Sequence, residues 1–103
     1  MQKKMSILTQ DQISSLIKRF EVLSIHQDFD FVYEKQIPNM ALALLEGEIE
    51  LFKKTRVFGV LSPYSFLGFY QLLHQEPVKY GCRIKKDSKV ILISKSDLMS
   101  LKL

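Results

Sequence analysis

From Val22 to Ile93 the apolar residues come in short runs, each broken by polar or turn-forming residues. Runs of that length and spacing are the pattern of an all-β roll. The candidate strands are Val22 to Ile25, Phe29 to Glu34, Met40 to Leu45, Glu48 to Lys53, Val57 to Leu61, Gly81 to Lys85 and Val90 to Ile93. Gly47 supplies a turn or bulge, and the glutamates after it alternate with Ile49 and Leu51, so one face is wet and the other buried. Arg83 and Lys85 alternate with Cys82 and Ile84 in the same way. Val90 to Ile93 is continuously apolar, which is the pattern of a strand covered on both faces.

Helical signals lie at three places. Thr9 with Gln12 forms a capping box, Leu8 and Ile13 can form the hydrophobic staple, and Ile13, Leu16, Ile17 and Phe20 repeat at helical spacing. Asp11 in the first turn and Lys18 and Arg19 in the last complement the helix dipole, so a helix is expected over about Gln10 to Phe20. Gly68 to His74 lacks β-branched residues and reads as a short inserted helix. Ser94 with Asp97 caps a terminal helix from about residue 95 that carries Leu98 and Leu101.

With 103 residues, 47% hydrophobic and 25% charged, the chain can bury one core, and a single domain over 1–103 is expected. The longest apolar run, Met40 to Leu45, is far short of the roughly 20 residues that span a bilayer. Lys3 and Lys4 resemble the start of a signal peptide, but Thr9 to Gln12 break any apolar stretch behind them. Cys82 is the only cysteine, which excludes an internal disulfide and a cysteine-built zinc site and suits a reducing compartment. A cytoplasmic protein without membrane contact is the expectation. The net charge of +4 is a mild bias toward phosphate-bearing or acidic partners.

This order of elements, and the residues at its joints, resemble the cyclic-nucleotide-binding domain family of catabolite-activator-type regulators, kinase regulatory subunits and gated channels. The likeness is carried by Leu44-Leu45-Glu46-Gly47-Glu48-Ile49-Glu50-Leu51 and by Val60-Leu61-Ser62-Pro63-Tyr64-Ser65-Phe66-Leu67-Gly68. Gly68 to Lys79 would be the phosphate-binding cassette, and Ser88 to Ser94 with Asp97 and Leu98 is similar to the family's last strand and next helix. The resemblance implies a mainly β fold, an antiparallel β-roll or jelly roll of cyclic-nucleotide-binding or cupin-like type. The roll would run over about 22–93, with the short helix over 68–74 inserted and short helices flanking it.

The cassette chemistry can be reasoned from its residues. A glycine before a short helix lets backbone approach an anion, and the first N–H groups of the helix can donate to phosphate. Gly68, Phe69 and Tyr70 fill that role. In the family an arginine beyond this helix pairs with the cyclic phosphate; Lys79 falls there in one alignment and Val78 in another. Lysine is a point charge without the planar two-pronged grip of guanidinium. Phe69 stands where the family has a glutamate accepting from the ribose hydroxyl, and its ring is expected to fill the ribose volume. One charge-assisted hydrogen bond lost is worth roughly 1.5–3 kcal/mol, about one to two decades of affinity. The ligand-binding candidates are Gly68, Phe69, Tyr70, Lys79 and Tyr80. Gln36 and Tyr64 replace two further family glycines, so those turns are expected to be rebuilt. The family's lid helix is mostly absent up to Leu103 and its DNA-reading helix-turn-helix is missing there, so direct DNA binding is not expected.

Blander readings stand beside these. Phe69 and Tyr70 read as core or pocket-plugging aromatics, with stacking on a base as the alternative. Lys79, Arg83, Lys85, Lys86 and Lys89 form either a phosphate-attracting patch or a solvated face that protects a sheet edge. His26 and His74 lack metal-ligand spacing, Cys82 reads as an inert buried thiol, and Glu46, Glu48 and Glu50 read as a wet face without a nucleophile beside them. The functional expectation is a non-enzymatic regulatory or signalling module without a cofactor. Binding of ordinary cyclic nucleotides would be weak or lost, and action would run through a protein partner or a homodimer. The alternatives are a working cyclic nucleotide sensor using the cassette and Lys79, a cupin-like metalloenzyme, and a nucleic-acid binder suggested only by charge.

Overall fold

The computed structural model describes residues 5–101. Helix α1 (Gln10–Arg19) begins where the sequence placed it: Gln12 N–H donates to Thr9 Oγ at 3.1 Å, and Thr9 N–H donates to Gln12 Oε1 at 2.8 Å. Two further helices follow as expected, α2 (Phe69–His74) and α3 (Lys95–Ser100), the latter capped by Ser94, whose Oγ accepts from Asp97 N–H at 3.2 Å.

The strands are β1 (Met5–Ile7), β2 (Leu23–Ser24), β3 (Phe29–Val32), β4 (Ala41–Glu46), β5 (Ile49–Lys53), β6 (Arg56–Leu61), β7 (Ser65–Leu67), β8 (Gly81–Ile84) and β9 (Lys89–Ile93). They form two antiparallel sheets, one ordered β1-β7-β4-β9-β2 and the other β3-β8-β5-β6. The architecture is the mainly β, antiparallel roll with short helices that the sequence implied. Strands β1 and β7 were not foreseen, because three residues carry too little alternation to register as a period. Strand β3 stops at Val32 rather than Glu34, since the chain turns over residues 33–36.

The central strands of the first sheet are buried on both faces, and their alternation sorts side chains between two cores. Ala41, Ala43, Ile91 and Ile93 meet the helices together with Leu8, Ile13, Leu16, Phe66, Leu72 and Leu98. Leu42, Leu44 and Val90 point the other way, against Val32, Ile49, Leu51, Cys82 and Ile84 of the second sheet. Period-two alternation thus makes the apolar runs of β4 and β9 serve two layers. Gly47, at φ 93°, is required at the β4–β5 turn, where a Cβ would overlap Ser88. Ser88 is fully buried there, and its hydroxyl bonds both backbone groups of Glu48.

Candidate functional site

Gly68 leaves β7 at φ 82°, in the left-handed region, and opens α2. Met40 O lies 3.1 Å from where its Cβ would sit, so a side chain here would be both strained and crowded. Leu72 N–H donates to Gly68 O at 2.9 Å and closes the first turn. The short inserted helix expected after Gly68 is therefore present, with its Phe69 and Leu72 packed in the helix-side core.

The segment after α2 is held by backbone bonds to the β3–β4 connection. Lys35 N–H donates to Val78 O at 2.8 Å, and Val78 N–H donates to Gln36 O at 2.8 Å. Clamped this way, Val78 is buried in the inter-sheet core while Lys79 is exposed. Lys79 lies on an outer groove of about 430 Å³ with Lys35, Lys53, Glu34 and Glu76, and it is not among the residues that line the inner cavity.

That inner cavity lies between Gly68 and the second sheet and is lined by Phe31, Val32, Leu67, Gly68, Gln71, Val78, Tyr80 and Cys82. Its volume is about 10 Å³, room for roughly one water, against about 300–1,000 Å³ for ordinary ligand pockets. No ionisable cation or carboxylate lines it. Burial raises the Tyr80 phenol above its usual range and pushes the Cys82 thiol up to about 12, so neither carries charge near neutral pH.

Among the candidates the sequence named, Gly68 and Tyr80 meet at this cavity. Phe69 does not: its ring stacks on Phe66 at 4.8 Å and packs into the helix-side core. The space near Gly68 is filled instead by Phe31, Leu67, Val78 and Tyr80, on the opposite side of the sheet. Tyr70 lies along α2 with its ring 4.3 Å from that of His74. Gln71, buried on the inner face of α2, was missed by sequence reasoning. Its position three residues after Gly68, one turn along the same helix face, was the available signal.

The two turns that lost glycine are rebuilt differently. Tyr64 itself adopts φ 77° and is held by three hydrogen bonds: its N–H to Leu44 O at 2.7 Å, its O from Leu8 N–H at 2.8 Å, and its hydroxyl to Gln10 Oε1 at 2.6 Å. At the other turn Lys35 rather than Gln36 takes positive φ, at 72°, and the Gln36 side chain accepts from Tyr33 N–H at 2.8 Å.

The basic residues of β8 and β9 form a mixed-charge face. Arg83 Nε is 2.6 Å from Asp30 Oδ1, its guanidinium is 3.9 Å from Glu50, and it sits over the Phe52 ring at 4.7 Å. Lys85 is 2.7 Å from Asp28 and 3.6 Å from Glu50, and Lys89 is 3.7 Å from Glu46. The Arg83 hydrogen bond holds the Asp30 carboxyl below its usual range, and the Lys85 hydrogen bond does the same for Asp28. Among the described residues, no group of three or more His, Cys, Asp or Glu side chains converges as metal ligands would. No helix there is long and apolar enough to cross a membrane.

Two layers of antiparallel sheet, a glycine-led helical turn inserted after β7 and a helix packed at each end define a β-roll with short helices. No family model matches the sequence, and no curated protein matches it. Solved structures do match. One, solved under the heading of a cyclic-GMP-dependent signalling pathway that regulates bacterial phytopathogenesis, aligns with a TM-score of 0.75 at 16% identity over 91% of this chain and 78% of that one. A cyclic nucleotide-binding-like protein from Brucella abortus aligns at 0.69 and 23% identity over 89% of this chain and 83% of its own. The Thermus thermophilus catabolite activator protein aligns at 0.69 and 15% identity over 90% of this chain and 46% of its own. The chain has the fold of cyclic-nucleotide-binding domains, as the cassette resemblance implied.

Proposed function

We propose that this chain is a non-enzymatic regulatory module of cyclic-nucleotide-binding fold whose pocket has closed, so that ordinary cyclic nucleotides bind weakly or not at all. It acts through contacts with protein in the cytoplasm. The observation that carries this reading is the cavity beside Gly68, which has room for about one water and no charged side chain on its wall. Val78 occupies the inward position where a phosphate-pairing cation would be needed, and the neighbouring Lys79 is exposed on the outer groove. A cyclic phosphate entering this space would lose its hydration without gaining a counter-charge, which is an unfavourable exchange. The buried, unpaired thiol of Cys82 accords with a reducing compartment.

Isothermal titration with cAMP, cGMP and cyclic dinucleotides tests the proposal. The expected result is no saturable heat below about 100 μM ligand. A dissociation constant near 1 μM that Lys79→Ala abolishes would instead establish a working sensor that draws Lys79 inward.

A further inference from the structure

The order β3-β8-β5-β6 brings four strand ends together at one margin of the second sheet: the end of β3, the start of β8, the end of β5 and the start of β6. A basic residue stands at each. Lys35 follows β3, Lys79 precedes β8, Lys53 closes β5 and Arg56 opens β6. All four are exposed, and Lys35, Lys53 and Lys79 share the outer groove of about 430 Å³. Elsewhere on this sheet the cations already have partners, since Arg83 and Lys85 lie against Asp28, Asp30 and Glu50. Lys35, Lys53 and Lys79 form no ion pair among the described residues.

We propose that this groove is a docking site for an acidic, extended segment of a partner protein, which sets carboxylates against Lys35, Lys53 and Lys79. Charge complementarity selects the occupant. Three ammonium groups without partners attract a negatively charged one. Glu34 and Glu76 stand on the same walls, and they repel a polymer that carries a charge on every unit. A nucleic acid is such a polymer, with one charge per about 1.7 Å of duplex, whereas a peptide can set a neutral side chain against each glutamate. Single strands are held by stacking bases on aromatic rings, and among the described residues no aromatic lines the groove. Its apolar contact is exposed Pro77 with Val78 buried beside it, a surface that a leucine of the peptide can cover. The hydrogen bonds that tie Val78 to Lys35 and Gln36 hold the two walls together. Little backbone ordering is then needed on binding, so the affinity lost to it is small.

This contact rests on the reading that the module acts through protein, and its test is independent of nucleotide. The probe is a fluorescein-labelled peptide of four Glu-Glu-Leu repeats, followed by fluorescence anisotropy. Saturation with a Kd of about 10–100 μM is expected in about 50 mM salt, weakening about tenfold in about 500 mM salt. The same peptide with glutamine for glutamate is expected not to saturate below about 1 mM. Lys35→Glu and Lys53→Glu are each expected to raise the Kd about tenfold. Lys86→Glu makes the same charge change at an exposed site beyond the other end of β8, and should stay within about twofold. Circular dichroism checks each fold; should Lys35→Glu not fold, Lys53→Glu decides. No saturation up to about 1 mM peptide overturns the proposal, as does an equal loss in Lys86→Glu, which would mean attraction to net charge alone. Tighter binding of a single-stranded DNA of about twelve nucleotides, lost in the same two groove variants, also overturns it, because the groove would then be a nucleic-acid site. None of these results touches the closed-pocket reading, which the nucleotide titration decides by itself.

Discussion

Truncating Val78 to alanine separates an inward-facing position 78 from one that swings free. Val78 is 6% exposed and packs in the inter-sheet core with Val32, Leu67 and Cys82. Removing two buried methyl groups forfeits about 0.8 kcal/mol each in transfer free energy, roughly 1.6 kcal/mol together. The clamp of Val78 backbone onto Lys35 and Gln36 keeps the segment from collapsing into the vacated space. A residual void on the order of 50 Å³ then adds about 1 kcal/mol at about 24 cal/mol per Å³. The expected destabilisation is about 2–3 kcal/mol, read as a fall of roughly 1–2 M in the urea midpoint with an unchanged slope. Lys79→Ala, on the exposed outer side, should cost less than about 0.5 kcal/mol. The enlarged cavity would remain far below the roughly 300 Å³ of a small ligand pocket, so the variant gains no nucleotide binding. Equal small costs for Val78→Ala and Lys79→Ala would refute the reasoning, because they would mean that the segment is not anchored with residue 78 inward.

Other outcomes follow from local geometry. Asp28 and Asp30 have carboxyls held below 3.8 by their hydrogen bonds to Lys85 and Arg83, so their contribution is complete above the unfolded carboxylate range and is lost as pH falls through the folded values. The urea midpoint should therefore drop below about pH 4, and Asp30→Asn should flatten that drop; an identical acid profile in the variant would count against the pairing. Lys35→Gly removes a side chain held at φ 72°; relief of left-handed strain offset by glycine's chain entropy leaves about 0.5 kcal/mol of stabilisation, a rise in Tm of about 2–4 °C by calorimetry. A fall in Tm would show that the Lys35 turn is not strained. The Cys82 thiol, 2% exposed and pushed up to about 12, should resist maleimide in the native protein and react at once in denaturant; rapid native labelling would show that the cavity wall opens readily.

Helix α1 was fully legible because its signals are local: the Thr9–Gln12 box, the apolar spacing and the charges at each end act within a few residues. The strands from β3 to β9 were legible where alternation ran for four residues or more, and the double burial of β9 followed from its unbroken apolar run. Gly68 announced the turn into α2 because glycine meets both the backbone angle and the close approach of Met40 without strain.

Tertiary structure alone decided which way the segment after α2 faces. The one-residue ambiguity between Val78 and Lys79 cannot be resolved by spacing, since a slip of one reverses every side chain on an extended segment. Which of the two points inward is fixed by hydrogen bonds to Lys35 and Gln36, more than forty positions earlier. Phe69 likewise went to the helix-side core because Phe66 was there to stack on, and Arg83 and Lys85 lost their appearance as a phosphate patch once Asp28, Asp30 and Glu50 were brought alongside. Local sequence determined which elements form, through interactions a few residues apart. What each side chain meets depended on residues distant in the chain, and those meetings exist only after the two sheets have closed over one another.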